Sequence, residues 1–310
     1  MTTIEGRASR SRRARRIWIG VIPFLLPALV LYVVFVLFPI VQAVHFSLFK
    51  WNGLTPLTNF IGLANYQRAL ADPAFLGAIS HNALIIGLSI VIQIPFALGL
   101  ALVLNRRFRG RAILRLLFFV PYVISEVITG IIWQLLLQPD GPIDGAMRSV
   151  GLGDLYQPWL ADPSTVLLAL FVIISWKYFG FHMILLLAGL QGIPRELEEA
   201  AAVDGATRGQ AIRFITLPLL GPTIRVSVFL SMIGALQLFD VVWVTTGGGP
   251  VNASNTMATY MIDWGFKRYQ LGYGSAIAVI LFVLAFILAL AYQRFVLRRD
   301  MDGAMTGGAG

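Results

Sequence analysis

The chain has 310 residues and a net charge of +9; 57% of its residues are hydrophobic and 13% charged, with a mean hydropathy of +0.78. Soluble chains carry about 25% charged residues to cover their surface, so this composition excludes an ordinary soluble domain. The absence of cysteine excludes disulfides and thiolate chemistry. His45, His81 and His182 lack the paired spacing of a zinc site, so neither a metal nor another cofactor is expected.

A bilayer core about 30 Å thick needs roughly 20 apolar residues in helix. Six blocks qualify, at 17–38, 83–104, 113–137, 166–187, 219–244 and 275–296. Barrel strands are half that length and alternate in polarity, so these are helices. The reading is an all-α membrane protein of about six transmembrane helices. Ser11-Arg12-Arg13 before the first block superficially resembles a twin-arginine export signal. The block is too long and apolar for one, and no small-x-small cleavage site follows, so it is read as an uncleaved helix. Pro23 and Pro27 fall in its first turns, where a missing amide donor costs least. Turn-forming segments such as Asn52-Gly53 and Pro139-Asp140-Gly141-Pro142 separate the blocks.

Lysine and arginine orient the bundle. With the amino terminus inside, the inner segments hold 17 basic residues: Arg7, Arg10, Arg12, Arg13, Arg15, Arg16, Arg106, Arg107, Arg109, Arg111, Arg115, Arg195, Arg208, Arg213, Arg294, Arg298 and Arg299. The outer segments hold 5: Lys50, Arg68, Arg148, Lys267 and Arg268. Both termini are expected in the cytoplasm. The basic excess is a topology signal, and no nucleic-acid partner is expected.

Ionisable groups inside the spans are costly and mark candidate functional positions. Glu126 falls near the middle of span three and Lys177 near the middle of span four. Two readings are open: an ion pair locking adjacent helices, or groups lining a substrate passage. Tyr122 and Glu126, at i and i+4, are expected to share one face of span three. Gln237 and Asp240 lie one turn apart in span five. Tyr122, Trp176, Tyr178 and Phe181 offer aromatic faces, for which helix packing or lipid contact is the plainer reading. Tyr269 and Tyr273 read as interfacial belt residues.

Between spans four and five lies the segment 190–222. Pro194 suits a first helical position, and Glu196, Glu198 and Glu199 complement the helix dipole in the turns that follow. Ala200-Ala201-Ala202 favours helix, Asp204-Gly205 stops it, and a second helix is expected to run to Pro218, where the chain re-enters the membrane. By composition alone this is an amphipathic helix on the membrane surface.

The order of residues says more. Glu199-Ala200-Ala201, then Gly205, then Ile215-Thr216-Leu217-Pro218, closely resembles the signature of binding-protein-dependent ABC importer permeases. Phe60-Ile61-Gly62-Leu63-Ala64-Asn65-Tyr66, Pro121-Tyr122 and Thr246-Gly247-Gly248-Gly249-Pro250 are similar to the sugar-importer branch, of the maltose, oligosaccharide or glycerol-phosphate type. The resemblance implies a type I importer permease fold with a cytoplasmic coupling-helix loop. It implies a basic tail at 1–16, a first transmembrane helix at 17–46, a permease domain at 77–297 and a cytoplasmic tail at 298–310. Glu199, Ala200, Ala201, Asp204 and Gly205 are expected to contact a separate ATPase subunit. Expected partners are a second homologous permease (a heterodimer), two ATPase subunits, an extracytoplasmic solute-binding protein, a carbohydrate and membrane lipid. The substrate pathway is expected along Tyr122, Glu126, Trp176, Lys177, Tyr178, Phe181, Gln237 and Asp240. Only Tyr122 follows directly from a matched motif.

The chain contains no Gly-Lys pair and hence no phosphate-cradling Walker A loop. The chain is therefore expected to be no enzyme, and its motor a separate polypeptide. An importer permease for a non-sugar solute remains the nearest alternative. A secondary transporter predicts an inverted repeat or charge relays, and a membrane enzyme a convergent polar cluster; neither pattern is visible.

Overall fold

The computed structural model describes residues 23–106 and 108–297. The basic tail 1–16, the opening of the first span at 17–22, Arg107 and the tail 298–310 lie outside the described residues. Helices α1 (Pro23–Ser47), α2 (Ala64–Ala71), α3 (Pro73–Leu104), α4 (Arg111–Val123), α5 (Glu126–Leu137) and α6 (Pro142–Ser149) form the first half. They are followed by α7 (Val166–Gln191), α8 (Arg195–Val203), α9 (Arg208–Leu236), α10 (Asp240–Thr245), α11 (Met257–Ile262) and α12 (Leu271–Leu297). Five of these are long and apolar enough to span a bilayer, and α4 together with the helical stretch 126–149 makes six if that bent pair counts as one span. Leucines, valines and phenylalanines cover the outside, among them Phe24, Leu29 and Val30 of α1 and Phe286 and Ile287 of α12. Such an exterior is stable against lipid tails and costly against water.

The spans begin and end where local chemistry allows. Helix α3 starts ten residues before the apolar block, because the Asp72 carboxylate accepts from the Ala74 amide (2.9 Å) and Pro73 occupies the first turn. Asn65, within the Phe60–Tyr66 stretch, donates to the carbonyls of Ser47 (2.8 Å) and Phe49 (3.0 Å) and so closes the end of α1. Asn82 of α3 donates to the Ala235 carbonyl (2.6 Å) and accepts from the Met257 amide (2.9 Å), tying α3 to the end of α9 and the start of α11. The buried Asn82 bonds replace water that the packed interior of the bundle cannot offer.

Three expectations about elements are corrected. Span three is not one helix: Ile124 and Ser125 are extended, and the chain turns by 99° between α4 and the helical stretch from Glu126 onward. Pro121 removes an amide one turn before the break. Span five starts at Arg208, inside the expected loop, and ends at Leu236. Gln237, Leu238 and Phe239 then break it before α10. Its start passes Pro218 without stopping because Ile212–Thr216 forms a wider π-turn, which absorbs the missing hydrogen bond. Pro194 is the cap before α8 rather than its first helical residue, with ψ of 131°.

The core runs along α7. Ile85, Val166, Leu170, Ile173, Val241 and Val242 fill one end, where α3, α7 and α10 meet. Ala97, Ala101, Met183, Leu186 and Leu220 fill the other, between α3, α7 and α9. A third cluster joins α2, α3, α11 and α12 through Phe75, Tyr260 and Ile277. It includes Tyr273, which is 2% exposed and packs beneath the Arg68 guanidinium (4.0 Å). Tyr273 is thus a core residue and no belt aromatic; Tyr269, 62% exposed, lies at the surface. The Tyr260 hydroxyl donates to Asp72 (2.5 Å), and burial holds its proton well above the ordinary tyrosine range.

Helices α4 and α7 cross with no room for a side chain at Gly180, where a Cβ would overlap the Phe118 carbonyl. Replacing it must push the two helices apart. Gly180→Ala is expected to cost about 1–3 kcal/mol, the usual range for overpacking. The check is a lower thermal midpoint for the detergent-solubilised protein; an unchanged midpoint would mean that α4 and α7 do not cross in direct backbone contact at Gly180.

Candidate functional site

The two helix breaks face one another across a cavity of about 340 Å³, bounded by α3, α4, α5, α7, α9 and α10. Of the eight expected pathway residues, six line it: Tyr122, Glu126, Tyr178, Phe181, Gln237 and Asp240. Trp176 does not; it sits edge-on to Trp133 of α5, with ring centroids 5.6 Å apart. Nor does Lys177, which is 3% exposed and turned into the protein.

The break in span three explains both charges beside it. Where α4 ends, its last carbonyls lose their helical donors, and a membrane interior supplies no water to replace them. The Lys177 ammonium donates to the Tyr122 carbonyl (3.4 Å) and to the Ile124 carbonyl. A cation there also complements the negative end of the α4 dipole. Glu126 opens α5, where a carboxylate complements the positive end, and it accepts from the Tyr178 hydroxyl. Of the two open readings for these charges, a direct Glu126–Lys177 salt bridge is not formed among the described residues; each charge serves its own helix terminus, and of the two only Glu126 lines the cavity. Asp240 repeats the pattern as the first residue of α10, just after the second break.

The shared face of Tyr122 and Glu126 is also corrected. Extended residues separate them, so the i, i+4 relation does not apply, yet both reach the cavity because the chain turns between them. Gln237 opens the break after α9 and Asp240 begins α10; they too are joined by a break and not by a helical turn. Tyr122 stacks on Phe181 with centroids 4.9 Å apart and 22° between planes, and meets Tyr178 edge-on at 6.0 Å.

Sequence reasoning missed four polar lining residues: Ser89, Gln93, His182 and Ser231. The signal was present for two, since Ser89 and Gln93 lie four apart in an otherwise apolar span and so share one face. The Gln93 amide nitrogen is buried with no hydrogen-bond partner among the described residues. His182 is held by the Ser227 hydroxyl at 2.8 Å.

The segment between α7 and α9 forms a second candidate site. Helix α8 ends at Asp204, and Gly205 turns the chain with φ of +84°, a conformation that costs other residues about 1–2 kcal/mol. Thr207 then caps α9 in a reciprocal box with Gln210. The Thr216 hydroxyl donates to Glu198 (2.8 Å), tying α8 to the first turns of span five. Glu199, Ala200, Asp204 and Gly205 are exposed and Ala201 is half-buried. Val203 is 87% and Leu197 42% exposed, so α8 presents apolar side chains outward on a polar segment.

Comparison with known proteins agrees with this arrangement. The chain matches the family described as binding-protein-dependent transport system inner membrane component over residues 93–301. It is 34% identical over 274 residues to a probable ABC transporter permease of Pyrococcus horikoshii, covering 88% of this chain and 94% of that one. It is 33% identical over 270 residues to the trehalose/maltose transport system permease MalF of Thermococcus litoralis, covering 87% and 91%. Among solved structures, it superposes on a chain of a bacterial ABC transporter that imports the acidic polysaccharide alginate, with a TM-score of 0.81 and 25% identity, covering 94% of this chain and 99% of that one. The chain therefore belongs to the binding-protein-dependent transport system inner membrane components, and is the multi-pass permease subunit of an ATP-binding-cassette importer, a transport component and not an enzyme.

Proposed function

We propose that this permease passes an uncharged carbohydrate from an extracytoplasmic binding protein to the cytoplasm. The observation that carries this reading is the lining of the cavity between the two breaks. Tyr122 and Phe181 offer ring faces for the apolar side of a sugar, while Glu126, Gln237, Asp240 and the unpartnered Gln93 amide offer hydrogen bonds to hydroxyls. Two carboxylates face this space, and the nearest ammonium, Lys177, is turned away from it. That balance suits a neutral sugar better than an acidic one. The relatives named for trehalose/maltose and for alginate support a carbohydrate cargo in general.

In this reading both termini are cytoplasmic, supported by the 17 to 5 distribution of basic residues. The permease domain spans 77–297, after a tail at 1–16 and a first transmembrane helix at 17–46, and a cytoplasmic tail at 298–310 follows. The chain pairs with a second, homologous permease. Two ATPase subunits dock on α8 and its turn through Glu199, Ala200, Ala201, Asp204 and Gly205. Their closure moves α9, to which α8 is tied, and so opens the cavity alternately to either side.

The test is uptake by the complete importer in proteoliposomes, offered neutral and acidic oligosaccharides. Neutral sugars are expected to be taken up in preference. Tyr122→Ala is expected to reduce uptake about tenfold, the loss of one stacking face, while ATPase stimulation by the binding protein persists. Preferred uptake of an acidic sugar, or full uptake by the variant, would remove the cavity from the pathway.

A further inference from the structure

We propose that a second cavity, beneath α8 at the end of the bundle opposite α10, is a binding site for a phosphate-bearing anion. Its volume is about 980 Å³, nearly three times that of the cavity between the breaks. It is bounded by the last turn of α3, the start of α4, the end of α7, one face of α8 and the first turns of α9. Five arginines line it: Arg106, Arg111, Arg115, Arg195 and Arg208. They come from two stretches of the chain, 106–115 and 195–208, that the fold brings together.

The lining carries an unbalanced positive charge. Glu198 and Glu199 also face the space, but Glu198 already accepts from Thr216, and among the described residues neither forms an ion pair with any of the five arginines. Guanidinium groups gathered in one concavity repel each other unless an anion joins them, because a partly enclosed space screens charge less well than bulk water. Arg115 is the most committed. One of its terminal nitrogens donates to the Leu104 carbonyl (2.7 Å), which ends α3, while its Nε is buried without a partner. A planar fork with one arm anchored and further donors free is suited to phosphate oxygens.

The rest of the lining indicates what else the ligand has. Leu102, Leu190 and Ile212 come from the ends of spanning helices and Ile193 from the turn after α7, so the cavity straddles the boundary between the apolar bundle and the polar segment. Basic pockets at such boundaries take the head groups of anionic lipids, and free phosphate presents the same oxygens. In either case the occupant would bridge the α3–α4 loop to α8. The inference does not depend on which cargo the permease carries.

The experiment uses the complete importer complex, as wild type and with Arg106→Gln plus Arg111→Gln, two arginines whose side chains make no hydrogen bond or ion pair among the described residues. Arg109→Gln, on the same loop but outside the cavity lining, controls for general charge. In one arm, lipid-depleted complex is titrated with dioleoylphosphatidylglycerol and retention is read by native mass spectrometry. In the other, inorganic phosphate is titrated and the shift in thermal midpoint is read, with chloride at matched ionic strength as reference. Wild type and Arg109→Gln are expected to bind in at least one arm, and the double variant about tenfold more weakly in that arm. Binding confined to the lipid arm identifies a head group, and binding in the phosphate arm a soluble anion. Equal binding by all three proteins, or none in either arm, overturns the proposal. A monodisperse elution profile for the double variant separates lost binding from misfolding.

Discussion

Gly205→Arg and Glu199→Lys are each expected to reduce ATP-driven uptake by about thirtyfold or more, the scale seen when a central contact of a protein interface is lost, while leaving the amount of protein in the membrane unchanged. Both positions are exposed, so neither change disturbs the bundle. A Cβ at Gly205 meets nothing within 4 Å, so its requirement for glycine comes from φ of +84° and not from crowding. Gly205→Ala separates the two causes. It carries the backbone cost of about 1–2 kcal/mol but leaves the surface of α8 open, and is expected to retain most uptake. The readouts are uptake and binding-protein-stimulated ATP hydrolysis by the reconstituted importer. Normal uptake by Gly205→Arg would show that the ATPase docks elsewhere, and would leave the exposed Leu197 and Val203 of α8 without a partner to cover them.

Lys177→Met is expected to have the largest effect on stability. The variant keeps the length of the side chain but leaves the carbonyls of Tyr122 and Ile124 without the donor that closes α4. Leaving such buried groups unsatisfied costs about 3 kcal/mol, and for a chain of this size that lowers the thermal midpoint by about 5–10 °C. A second variant distinguishes two roles for the lysine. If it chiefly neutralised Glu126, then adding Glu126→Gln would restore the midpoint. With the carbonyls as its partners, the double variant is expected to stay as low as Lys177→Met alone. Restoration would return the ion pair to the site.

These predictions come from different levels of the chain. The turn at Gly205 was legible in the order of residues, because a left-handed position after a run of alanines admits few alternatives. The helix breaks were not. Pro121 and Pro222 both lie inside spans, yet α4 ends two residues after the first while α9 continues past the second to Leu236. A proline disturbs a helix locally, but neighbouring helices decide whether the chain continues or turns. The pairing of Tyr122 with Glu126 shows the consequence. Both reach the cavity, although the helical face that suggested it does not exist.

The sequence by itself determined about six apolar blocks, their helical character, the distribution of basic charge and the turn at Asp204-Gly205. Each of these depends on residues near one another in the chain, through period, length or capping. Only the tertiary structure decided that Lys177 closes α4 and Glu126 opens α5, that Tyr273 is core, and that five arginines share one cavity. Those facts depend on which helices pack together. In a membrane interior without water, every carbonyl freed by a break must find its partner on a neighbouring helix.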